Sequence, residues 1–261
     1  MVGLTPSGQG GTTIARKQPE RTQEPVVQRI RIRYAKRGPL RFTSHRDFAR
    51  AFERAVHRAK VPIAYSQGFT PHPKISYASA APTGTASEAE YLEIALRARA
   101  EPDQVRAALD AALSPGLDVL EAVEAEGTGS LAERIDASYW RIELPGVQVG
   151  ALQEAVAAFV ASGLVEVDRL TKQGRRRFDA RAAVVRMSTE ATDGGPPYEV
   201  GSARCAILDL VVRQVTPSVR PDDVLAGLRV VADLVPPEPP RVTRLAQGRL
   251  TAQGEIVDPL V

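Results

Sequence analysis

Apolar and polar positions alternate at the start of the ordered sequence, where Ile30, Ile32 and Tyr34, with Val27 ahead of them, stand among arginines. That period of two predicts a half-buried strand. From Ser44 the period lengthens. Phe48, Phe52 and Val56, together with Ala51, Ala55 and Ala59, form a stripe at helical spacing, so a helix buries one face against a core. Ser44 has the chemistry of an N-cap, and Asp47, three residues on, completes a capping box. Pro62 stops this helix. The stretch "YSQGFTPHPKISYASAAPTG", residues 65 to 84, then leads into a short strand at "ISYASA". In "EYLEIALRA", Tyr91, Glu93 and Ala95 alternate with Leu92, Ile94 and Leu96, which reads as another strand. A helix follows over "EPDQVRAALDAALSPG", ended by Pro115 and Gly116, and "LDVLEAVEAE" supplies a last strand. Strand, helix, strand, strand, helix, strand is the split βαβ plan.

The same order recurs further on. "SYWRIELP" reads as a strand and "QVGALQEAVAAFVASG" as a helix ending at Gly163. "LVEVDRLTKQGRRRFDARAAVVRMS" reads as two strand pieces or one long bent strand, and "CAILDLVVRQ" as a further strand. "RPDDVLAGLRVVADLV" is a helix with Pro221 near its start, and "PRVTRLAQGRL" closes the set. The expected fold is therefore α+β, with two tandem ferredoxin-like (βαββαβ) units at 27–128 and 137–250. Residues 1–26 lack apolar periodicity and are rich in Gly, Thr, Gln and Pro, the composition of a disordered tail. "MSTEATDGGPPYEVGSA", at 187 to 203, reads as a mobile polar insertion.

Composition adds exclusions. With 43% hydrophobic and 25% charged residues over 261 positions, most of the chain has the means to fold. There is no apolar run of eighteen residues and no charged-then-apolar leader, so a cytoplasmic protein without a membrane partner is expected. One cysteine, Cys205, lies in an apolar run and suits a small buried hydrophobe. Disulfides, thiolate zinc sites and iron–sulfur clusters need more cysteines. No glycine-rich phosphate loop stands out, and no cofactor is expected.

Charge is segregated along the chain. From Arg29 to Lys60 there are eleven Lys or Arg against two acids, Asp47 and Glu53, whereas residues 61–128 carry four bases and ten acids. Arg46, Arg50, Arg54 and Arg58 recur every four residues and fall on one side of the first helix. Charged helix faces are ordinarily solvated surface. Here Arg29, Arg31, Arg33, Lys36, Arg37 and Arg41 precede them on the flanking strand and turn, so the expectation is one exposed cationic patch suited to a polyanion. Beside it, Tyr65, Phe69 and Tyr77 offer ring faces for stacking, Gly68 permits close backbone approach, and Lys74 adds a cation. Pro71 and Pro73 hold the chain extended around His72, which suits a contacting residue and a structural turn equally. His45, at the helix N-terminus, is the better acid–base candidate and His72 the second, with catalysis the weaker reading. The three histidines have no metal-ligand spacing, so no metal site is expected. In the second unit, Lys172, Arg175, Arg176 and Arg177 surround Gly174 as a basic hairpin turn able to reach a phosphate or to blunt a sheet edge. Glu88, Glu90 and Glu93 read as a solvated edge.

The run from Tyr34 to Gly84 carries a Lys and Gly after the first strand, "F.SH.D" at Phe42 to Asp47, "YS.GF.PHP" at Tyr65 to Pro73 and a small-residue stretch ending at Gly84. This combination resembles the N-terminal signature of the radical-SAM-linked protein family, bacterial proteins of unassigned function. "TKQGRRRFDAR" and "RVTRL" resemble its weaker C-terminal features, extending the likeness over roughly 28 to 250. The chain has no CxxxCxxC, so the resemblance implies a radical SAM partner acting in trans. The tandem plan is also similar to that of the CRISPR repeat-processing endoribonucleases, which bind RNA across such a pair. The sequence thus points to an accessory protein that binds RNA, tRNA included. The alternatives are an RNA-processing or small-substrate enzyme using a histidine acid or base, and a protein-interaction subunit whose basic face meets an acidic partner.

Overall fold

The computed structural model describes residues 25–67, 69–127, 129–172, 174–192 and 205–261. The expected tail, 1–26, lies outside the described residues except for its last two, and so does the expected insertion beyond residue 192.

In chain order the first half contains β1 (Gln28–Lys36), α1 (His45–Arg58), β2 (Ile75–Tyr77), β3 (Ala86–Leu96), α2 (Pro102–Ala112) and β4 (Val119–Glu124). The second half contains β5 (Ala137–Pro145), α3 (Val149–Ala161), β6 (Glu166–Thr171), β7 (Gly174–Asp179), β8 (Val184–Thr192), β9 (Cys205–Arg213), α4 (Pro221–Ala232) and β10 (Arg241–Leu250). A short β11 (Ile256–Val257) follows. The result is a mixed α/β fold with a predominantly sheet core and four helices among the described residues.

One sheet runs β4-β1-β3-β10-β5-β9-β8, with β2 added to β3 and β11 to β10, while β6 and β7 form a separate two-stranded ribbon. The segment expected to be two strand pieces or one bent strand is thus β6, β7 and β8. The two halves join through β3, whose later residues Leu92–Ile94 pair with β2 and whose first residues Ala86 and Ser87 run parallel to Thr243 and Arg244 of β10.

Alternation decides the faces. Ile30, Ile32 and Tyr34 pack with Phe48, Phe52, Ala55 and Val56 of α1 and Val105 and Leu109 of α2. In the second half Trp140, Ile142, Leu144, Leu208 and Leu210 pack with Leu152, Ala155 and Phe159 of α3 and Val224 and Leu228 of α4. Glu90 stands opposite Tyr34 and is ion-paired with Arg244, which stands opposite Trp140. Neighbours in register share a face, so all four helices cover the same side of the sheet.

The join is polar where most cores are apolar. Arg244, Glu90, Ser87, Gln247 and Lys36 are all buried there. Over them runs the small-residue stretch before Gly84. Ala81 N–H donates to both oxygens of Glu90 at 3.3 and 3.2 Å, Lys36 Nζ donates to the carbonyls of Ala81 and Pro82, and the Gln247 amide donates to the carbonyls of Ser79 and Ala89. The alanines at 78, 80 and 81 keep this strap close to the groups that hold it.

Candidate nucleic-acid interface

Ser44 starts α1 as expected, its hydroxyl accepting from Asp47 N–H at 3.2 Å. The reciprocal half of the box differs, because the Asp47 carboxylate accepts from the Ser44 hydroxyl at 2.6 Å and not from the Ser44 amide. With Phe48, Phe52, Ala55 and Val56 buried, the opposite side of α1 faces solvent, and Arg46, Arg50 and Arg54 are exposed along it. Successive members lie about 6 Å apart along the axis. Among the described residues no carboxylate pairs with any of the three. Arg58 differs in that its guanidinium donates to the Ala112 carbonyl at the end of α2.

The strand cations do not join this row, which corrects the expectation of one patch. Arg29, Arg31 and Arg33 alternate with Ile30, Ile32 and Tyr34 and so occupy the other side of the sheet. Each is paired there: Arg29 and Arg31 with Glu93 at 2.9 and 3.1 Å, and Arg33 with Glu121 and Asp258 at 3.2 Å each. Arg31 is 2% exposed and also donates to the Gly129 carbonyl at 3.1 Å. Arg37 is held by Glu88 and Asp118, and these carboxylates push its guanidinium pKa up. Consequently Glu88, Glu90 and Glu93 are not a solvated edge. They are the counter-charges of Arg37, of Arg244, and of Arg29 and Arg31. On this opposite side Arg29, Arg31 and Glu93 border a cleft of about 560 Å³, with its two guanidiniums already engaged by Glu93.

The aromatic loop does lie beside the helix row. Tyr65 and Pro73 pair as an antiparallel bridge, Ser66 N–H donates to the His72 carbonyl at 2.8 Å, and His72 N–H donates to the Ser66 hydroxyl at 3.0 Å. These bonds join the arms 65–67 and 69–73 as a hairpin stem, with Gly68 outside the described residues. Tyr65 Oη lies 3.3 Å from His57 Nε2, which pins the hairpin to α1 between Arg54 and Arg58. Phe69, near the tip, is 90% exposed. His72 is exposed.

Other expected residues go elsewhere. Lys74 precedes β2 on the strand position opposite to Ile75 and Tyr77, which pack toward α1. Lys172 and Arg175 belong to the β6–β7 ribbon of the second half, where Arg175 and Arg177 both pair with Asp168 at 3.8 and 3.1 Å. Depressed by those two arginines, the Asp168 carboxyl titrates below its ordinary range. The ribbon is anchored on α4 through Arg169 and Asp223 at 3.0 Å.

His45 and His57 are separated by roughly 18 Å of helix, so they form no acid–base pair. His45 instead meets the Tyr77 ring edge-on at 4.9 Å, and Tyr77 in turn meets Phe48. Among the described residues no cluster of metal-ligating side chains occurs. No helix among them is long and apolar enough to cross a membrane.

A mixed α/β protein with an arginine row that no described carboxylate neutralises, and an adjoining aromatic hairpin, is the class that fold and surface define. The chain belongs to the family described as uncharacterized protein conserved in bacteria (DUF2344), whose model matches residues 29–221. No curated protein matches it.

Proposed function

We infer that the chain is an accessory RNA-binding protein, built on two ferredoxin-like units and working in trans with a radical SAM enzyme. The ferredoxin-like reading rests on strand order. Numbered within each half, and with the β6–β7 ribbon set aside as an insertion, the strands lie in the order fourth, first, third, second in both. The radical SAM partnership rests on the signature from Lys36 to Gly84 and on the single cysteine, which leaves this chain without the ligands of a cluster.

RNA binding rests on one observation: Arg46, Arg50 and Arg54 are exposed and have no carboxylate partner among the described residues, while every arginine of β1 is neutralised. A cation that no carboxylate of the described residues neutralises retains its attraction for phosphate. The row is narrower than sequence alone suggests, with three arginines at its centre.

Affinity purification of the tagged chain from its native lysate, with and without ribonuclease, tests the proposal. Co-purifying RNA of tRNA size and a radical SAM protein are expected. A complex of proteins alone that survives ribonuclease unchanged would overturn the RNA reading and favour a protein-interaction subunit.

A further inference from the structure

We propose that the α1 row and the 65–73 hairpin together take a single-stranded segment of RNA in preference to a duplex, a proposal that rests on the RNA-binding reading above. The three arginines form one line and not two, and their spacing of about 6 Å is comparable to the separation of successive phosphates on one strand. A single backbone laid along α1 meets each cation in turn.

At the His57 end of that line stands the hairpin. Its stem is fixed by the Tyr65–Pro73 bridge and the paired Ser66 and His72 bonds, and its attachment to the helix is the Tyr65–His57 contact. Pro71 and Pro73 stiffen the returning arm. Phe69 is a large apolar ring carried beyond this stem, with 90% of its surface exposed. A ring presented this way gains by stacking on a base, and only an unpaired base has a free face to offer. A continuous A-form helix offers this surface phosphates, 2′-hydroxyls and base edges but no free base face, because its bases are stacked on one another. Arginines supply attraction for either form, and Phe69 supplies the difference between them.

Fluorescence anisotropy with a short labelled RNA of mixed sequence, used as a single strand and annealed to its complement, separates the claims. The intact chain is expected to bind the single strand more tightly. Phe69→Ala is expected to weaken single-strand binding by about ten-fold and leave duplex binding unchanged, whereas Phe69→Trp retains the preference. Replacement of Arg46, Arg50 and Arg54 by Ala is expected to weaken both forms. Equal affinity for the two forms, or a Phe69→Ala variant that binds the single strand normally, overturns this inference and leaves RNA binding standing. Failure of the intact chain to bind either form overturns the RNA reading itself.

Discussion

Arg244 of β10 and Glu90 of β3, 154 residues apart in sequence, form an ion pair across the join of the two halves, at 1% and 2% exposure. The Arg244 guanidinium also reaches Ser87 Oγ at 3.4 Å and Gln247 Oε1 at 3.2 Å and lies 5.4 Å from the Trp140 ring centre. Removing Arg244 leaves the buried Glu90 carboxylate without its ion-pair partner, held among the described residues only by the Ala81 amide. Arg244→Ala is expected to lose about 3–5 kcal/mol in urea unfolding followed by Trp140 fluorescence, whereas replacing both residues by Met recovers most of that loss. A single substitution that leaves the unfolding midpoint in place would contradict this account of the join.

Tyr77 behaves oppositely. Its hydroxyl is buried without a hydrogen-bond partner among the described residues, so it lacks the compensation that buried polar groups ordinarily have. Tyr77→Phe removes the orphan and keeps the ring against His45 and Phe48. The variant is expected to match or exceed the parent's stability by about 1 kcal/mol. A clear loss in the same unfolding assay would show that the hydroxyl has a stabilising partner.

Alkaline pH acts on three phenols together. Burial pushes Tyr34, Tyr77 and Tyr91 upward, with Glu90, Glu53 and Asp258 respectively adding to the shift. Each raised group holds its proton more tightly when folded than when unfolded. The stability this contributes is complete below the ordinary tyrosine value of about 10 and is lost as pH rises beyond it. Tyrosinate absorbance from these three is expected to appear only as circular dichroism reports unfolding. Reversible ionisation of all the phenols near pH ~10 with native structure retained would contradict their placement.

Gly227 marks where α4 crosses closest to its neighbours. A Cβ there would lie 2.6 Å from a Phe159 ring carbon of α3 and 3.0 Å from a Val165 methyl. Both contacts belong to the buried core, so neither side chain has solvent to move into. Gly227→Ala is expected to destabilise the chain by about 1–3 kcal/mol despite the better helix propensity of alanine. Equal or greater stability would mean that the α3–α4 packing relaxes without penalty.

The sequence pattern exposes the strongly periodic elements and hides the long-range pairings. Ile30, Ile32 and Tyr34 alternate so cleanly, and Phe48, Phe52 and Val56 recur so regularly, that β1 and α1 follow from spacing alone. The β6–β7 ribbon shows a weaker period because Gly174 to Arg177 are exposed and its inner face adds only Val167, with Phe178 beside it, to the core, so the segment reads as two strand pieces or one bent strand. Glu90 and Glu93 mislead for another reason. They lie on a strand covered on both sides, and their partners come from 154 residues downstream and 62 upstream, distances at which charge order along the chain carries no information. The same limit explains the basic patch. Net charge from Arg29 to Lys60 is correctly one-sided, but alternation sends the β1 arginines to the far face, where acids from β3 and β4 meet them.

The central claim is that Arg46, Arg50 and Arg54 contact phosphates, and its most direct test is the salt dependence of RNA binding by the parent chain and by the triple alanine variant. Each phosphate contact on a single strand contributes about 0.7 to the slope of log affinity against log salt, so the parent is expected to be steeper by about two. Parallel slopes would contradict the claim, since they would place the phosphates on cations elsewhere in the molecule.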